Sequence, residues 1–172
     1  MPNATAGNRG SAFWQFSLEF YARPRVAGAC LELQDGAGVD VNLLLYLLFL
    51  ANHERAVGRD DVARLDALVA TWREHAVRPL RALRRELKAG IAPVPVIDSE
   101  LLRSAIKRDE LEAERIEQEL LERLAPVPTL GKPAASRDTA ARANLAAYGS
   151  FLNELPAAPV AVLLDAFAPA PN

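Results

Sequence analysis

Asp40-Val41-Asn42-Leu43-Leu44-Leu45-Tyr46-Leu47-Leu48-Phe49-Leu50-Ala51-Asn52-His53 is the stretch whose reading decides the fold. Wound at 3.6 residues per turn, it places leucines on every side, the pattern of a helix buried all round. The pattern predicts a helix from Val41 to about Val57 at the centre of the molecule. Asp40 follows Gly38 and stands one residue before the run, where a carboxylate caps exposed backbone N–H groups. As a simple cap, its replacement by alanine is expected to cost roughly 0.5–2 kcal/mol, and by asparagine much less.

Outward from this helix the chain reads as helix after helix. Ser11 caps a first helix to about Ala22, rich in aromatics, with Trp14 expected to anchor it on the third. Pro24 suits the first turn of a second helix ending near Asp35. Asp60 or Asp61 opens a fourth helix that should kink or restart at Pro79 and run to Lys88. Gly90 to Ile97 reads as an extended connector. Asp98 or Ser99 caps the longest helix, to about Ala125, with an apolar stripe of Leu102, Ile106, Ala113, Ile116, Leu120 and Leu124. After a second connector, Pro126 to Pro133, come a helix from Ser136 or Asp138 to about Leu155 and a short one over Val160 to Phe167. No segment alternates like a strand. The expectation is an all-α, single-domain bundle of about six helices over residues 11–167, without a β-sheet and with frayed ends at 1–10 and 168–172.

Composition narrows the functions. A formal net charge of −2 gives no general reason for nucleic-acid binding. One cysteine excludes an internal disulfide and a Cys-based zinc cluster. The longest apolar run, Leu43 to Ala51, falls far short of the roughly 20 residues that span a bilayer. Met1 to Gly10 lacks the basic-then-apolar pattern of a secretory signal. A cytoplasmic protein is the expectation.

Four ordered motifs carry a resemblance. Phe13 to Tyr21 (FWQFSLEFY), Cys30 to Leu45 (CLELQDGAGVDVNLLL), Pro79 to Lys88 (PLRALRRELK) and Glu110 to Gln118 (ELEAERIEQ) look like a proteobacterial family of small proteins bearing only a domain-of-unknown-function label. The resemblance implies a small bacterial cytosolic helical protein and carries no activity, cofactor or site residue.

Two candidate sites remain. Asn42, Tyr46, Phe49 and His53 recur at helical spacing on one face of the third helix. With Trp14, Tyr21, Cys30 and Asp40 they form a possible ligand pocket. Their bland reading is caps, buried rings and a helix end. Asp35 to Asn42 lacks the ligand spacing of an EF-hand and the Lys-Ser/Thr of a P-loop. Cys30 as a nucleophile needs His53 within reach. No Glu-x-x-His pair suggests a di-metal site, so no metal, cofactor or catalytic residue is assigned.

The second candidate is electrostatic. Between Arg78 and Arg108 eight basic residues face three acids, while Asp109 to Glu122 is acidic. Arg81, Arg84, Arg85 and Lys88 are expected to face mostly outward and, with Arg103 and Lys107, to dock an acidic protein partner, guanidinium forks matching its anions. Ion pairing of this cluster with the long helix would instead make it part of the bundle's framework. A non-enzymatic interaction module is the leading expectation and the pocket is its alternative.

Overall fold

The computed structural model describes residues 10–168. The expected frayed ends fall outside that range, except for Gly10 and Ala168. The helices are α1 (Ala12–Tyr21), α2 (Val26–Ala37), α3 (Val41–Asn52), α4 (Arg59–Trp72), α5 (Arg78–Leu87), α6 (Val96–Leu124), α7 (Arg137–Leu152) and α8 (Ala157–Phe167). A π-helical turn, Arg73–Val77, joins α4 to α5 without a break, so the described residues form seven continuous rods. Pro79 explains the turn. It has no N–H to donate and its ring crowds the carbonyl four residues back, at His75. A widened turn absorbs both, so the expected interruption lies just upstream of the proline.

The third helix is the core, as its leucines require. Every residue from Asn42 to Ala51 is buried, and each buried leucine contributes roughly 1.5–3 kcal/mol. α7, α6 and α1 pack around it. Phe13, not Trp14, anchors α1. Its fully buried ring lies 4.9 Å from Tyr46 and 5.3 Å from Phe49 between centroids. Trp14 is half-buried on another side.

Several boundaries differ from expectation. α3 stops at Asn52 instead of Val57, because Glu54 takes a left-handed φ of 55° and turns the chain outward. There β1 (Arg55–Ala56) pairs antiparallel with β2 (Lys132–Pro133), a sheet the sequence reading did not expect. Two-residue strands are too short to alternate. Side chains hold them in place. Buried Asn144 accepts from the Val57 N–H at 2.7 Å and donates to the carbonyls of Leu47 and Arg55 at 2.8 and 3.0 Å. Gly131, at φ 57°, lies so close to the Ala56 carbonyl that a Cβ would collide with it. α2 starts after Pro24, with Arg25 left-handed, and ends at Ala37 rather than Asp35, capped by Gly38.

α6 starts at Val96, after Pro95, so neither Asp98 nor Ser99 is its cap. Ser99 is buried, and its hydroxyl donates to the Leu87 carbonyl at 3.3 Å. Trp72 Nε1 donates to the Ala113 carbonyl at 2.9 Å. These two bonds set the α4–α5 rod antiparallel along α6. The buried line of α6 includes Ile106, Glu110, Ala113, Glu117 and Leu121, while Leu102 and Leu124 are exposed.

Candidate functional site

Asp40 caps α3, accepting from the N–H groups of Asn42 and Leu43 at 2.8 and 3.3 Å. It does more than cap. Its other oxygen accepts from Arg73 Nη1 at 2.7 Å, and Arg73 also meets Asp66 at 2.8 Å. The π turn delivers Arg73 to this position. Tyr148 on α7 accepts from the Asp40 N–H at 2.9 Å.

Beneath Asp40 lies Glu117, completely buried. Burial first, and the Asp40 charge second, raise its carboxyl far above the ordinary range, so it is protonated at neutral pH. Burial pushes Asp40 the same way, but the Glu117 hydrogen bond and the Arg73 guanidinium outweigh it and hold Asp40 ionised. Glu117 accepts from Asn42 Nδ2 at 3.1 Å, and Asn42 Oδ1 accepts from Gln118 Nε2 at 2.9 Å. Hydrogen bonds thus join Arg73 to Asp40, and Glu117 through Asn42 to Gln118; the proton that Glu117 keeps is what can bond the two buried carboxyl groups to each other.

Gln118 opens onto a groove of about 760 Å³ bounded by α1, α2, α3, α5 and α6. Its floor is polar, with Ser17, Asn42 and Gln118 all more than nine-tenths buried. Its flanks are apolar, with Trp14, Leu18, Leu45 and Leu111. Its rim carries five cationic side chains, Arg81, Arg84, Arg85, Lys107 and Arg108, against the carboxylates of Glu110 and Glu114.

The rim is partly self-neutralised. Glu110 accepts from Arg81 Nε at 3.0 Å and from Arg84, and Glu114 accepts from Arg81 Nη2 at 2.6 Å. Burial opposes ionisation of Glu110, yet the Arg84 and Arg81 guanidiniums keep it below its ordinary value. Glu114 is raised by burial despite Arg81. Arg85 pairs with Asp35 of α2 at 2.8 Å, near the surface. Lys107 and Arg108 join no ion pair among the described residues.

The structure regroups the expected sites. Arg81, Arg84, Arg85 and Lys107 line the groove together with Trp14, Tyr21 and Asn42. Residues assigned to separate sites therefore share one wall. Arg81 and Arg84 turn inward to α6 rather than outward, so they brace the bundle as well as line the groove. Lys88 and Arg103 lie outside it, and Arg103 pairs with Glu100 at 2.6 Å.

The stripe on α3 does not open as a unit. Tyr46 is buried and donates to the Ala125 carbonyl. Phe49 is packed among Phe13, Phe16 and Tyr46. His53 is exposed at the end of α3, its ring 4.8 Å from Phe49. Cys30 sits in the core, where burial pushes its thiol up to about 12, and no hydrogen bond links it to His53 among the described residues. Asp40 faces a separate cleft of about 170 Å³ beside the groove, with Arg73.

The sequence pattern gives Ser17, Arg73 and Gln118 no site role, and it places Arg108 and Glu117 only in the basic and the acidic stretch. For the carboxylates a signal existed. Counting from Ile106 at helical spacing puts Glu110 and Glu117 on the buried line of α6.

One protein-family model matches residues 12–121, well over half of the chain. The chain belongs to that family, described as "Protein of unknown function (DUF2390)". No curated protein and no solved structure matches it. The matched segment runs from α1 nearly to the end of α6, and it contains every residue lining the groove. Tyr148 and Asn144, which buttress α3 and β1 from α7, lie beyond it. The groove brings together cations, an apolar flank and a polar floor.

Proposed function

We propose that this protein is a non-enzymatic binding module whose groove takes an anionic group carried on an apolar body. The observation that carries the reading is the convergence of five cations, an apolar flank and a buried polar floor in one groove. Its volume lies in the range of small-molecule sites, roughly 300–1,000 Å³. Lys107 and Arg108 attract the anion, while Trp14, Leu18 and Leu111 remove its apolar part from water. A cytoplasmic site of action fits the single buried thiol, and a bacterial source fits the family resemblance.

Docking of an acidic protein segment is the second reading. Exposed Ile97 and Leu101 favour it, because they continue the face of α6 that carries Arg108 and Leu111. Titration calorimetry with decanoate tests the first reading. Wild type should bind it, more weakly as salt rises, and Lys107→Glu with Arg108→Glu should abolish the heat while leaving the helical spectrum intact. Equal binding by the double variant would refute a cationic groove.

A further inference from the structure

The floor of the groove specifies more than an anion. Ser17 Oγ and Gln118 Oε1 are buried side-chain atoms without a hydrogen-bond partner, in residues only 3% and 2% exposed. The orientation of Gln118 is fixed from behind. Its Nε2 donates to Asn42, whose own amide donates to Glu117. The amide oxygen is therefore the free end, a pure acceptor, and Ser17, which lines the same groove, carries a hydroxyl that can donate or accept.

A carboxylate is the wrong group for this floor. It would face the Gln118 carbonyl, with the Glu114 and Glu117 carboxyl groups one turn and one residue away on the same helix. A hydroxyl is the right group, donating to Gln118 Oε1 and accepting from Ser17. The anion belongs at the other end. Lys107 stands eleven positions before Gln118 on the continuous helix α6, about 16 Å away at 1.5 Å per residue. Glu110, which Arg84 clasps, stands eight positions before it, about 12 Å away. Leu111, Leu18, Leu45 and Trp14 flank the groove that connects the two ends.

We infer that the occupant is a rod-like amphiphile with an acid at one end and a hydrogen-bond donor at the other, the chemical class of the ω-hydroxy fatty acids. This rests on the groove being the binding site. A plain fatty acid would cover Ser17 and Gln118 without pairing them, and buried polar groups left unpaired discriminate strongly between ligands.

The test is calorimetry on the full chain with three probes, 10-hydroxydecanoate, decanoate and 1,10-decanediol. The hydroxy acid should bind about tenfold or more tighter than either probe lacking one end group. Ser17→Ala, a small change on α1, should cut most of the preference for the hydroxy acid over decanoate, read as the ratio of the two affinities in the variant against that ratio in wild type. Gln118→Met should do the same. Equal affinity for decanoate and the hydroxy acid would overturn the inference while the groove reading stands. Equal affinity for the diol would overturn the assignment of an acid end. Failure of all three to bind would overturn both readings. Retention of the full preference in Ser17→Ala and Gln118→Met would show that the floor is not the hydroxyl's site.

Discussion

Glu117→Gln isolates the proton that the buried carboxyl keeps. In the folded chain Glu117 is protonated well above the ordinary carboxylate range, chiefly because it is buried. In the unfolded chain it ionises near its usual value of about 4.3. Between those limits the folded state holds one more proton, so the group's contribution to stability falls as pH rises, on the order of 1 kcal/mol per pH unit. It is fully present only below the unfolded value. Glutamine keeps the acceptor for Asn42 Nδ2, 3.1 Å away in wild type, and offers Asp40 an N–H in place of the carboxyl proton. It has nothing to release. The variant should match wild type near pH 4 and exceed it progressively from about pH 5 to about pH 9. Asp40 acts at the other end, its depressed value removing stability only as pH falls through it. Urea unfolding followed by circular dichroism at five pH values would give the stability difference as a curve. A flat difference would refute the reasoning, because it would mean that Glu117 is ionised in the fold.

Other predictions follow from the same contacts. Phe13→Ala should lose about 3–5 kcal/mol, against a smaller loss for Trp14→Ala, measured by thermal or urea unfolding. Asp40→Ala should exceed the cost of a lost cap and approach about 3–5 kcal/mol, because Arg73 loses one of its two close carboxylates in a nearly buried position. Asp40→Asn, expected from the sequence to be mild, should fall between alanine and wild type, since it keeps the cap oxygen and loses the charge. Asn144→Ala should cost at least about 2 kcal/mol by stranding the Val57 N–H and two carbonyls, with amide exchange at Val57 accelerating first.

The centre of the fold was legible because a ten-residue run with apolar side chains on every face can only be buried, and because a carboxylate before such a run is a cap. The same fact misled the site reading. On a helix enclosed all round, residues sharing a face need not open into anything, and Tyr46 and Phe49 pack into the core. The groove was not legible because its walls come from five separate segments, each with an ordinary local explanation. Arg81 and Arg84 read as solvent-facing from the leucine pattern of α5 alone. They turn to α6 because Glu110 lies on its buried line. Arg73 was missed because the π turn that aims it is a response to Pro79, four residues beyond its middle, and no periodic pattern announces it. The short β pair depends on Asn144, distant in sequence, and on the fit of Gly131 against Ala56.

The most direct test of the groove as the binding site is a nitrogen–proton correlation spectrum of the labelled chain titrated with decanoate. The Trp14 indole N–H and the side-chain amides of Asn42 and Gln118 should shift together and saturate on one isotherm, while the Trp72 indole, bonded to Ala113 outside the groove, stays in place. Saturating decanoate that leaves Trp14, Asn42 and Gln118 unmoved, or that moves Trp72 and the α7 amides as far, would contradict it.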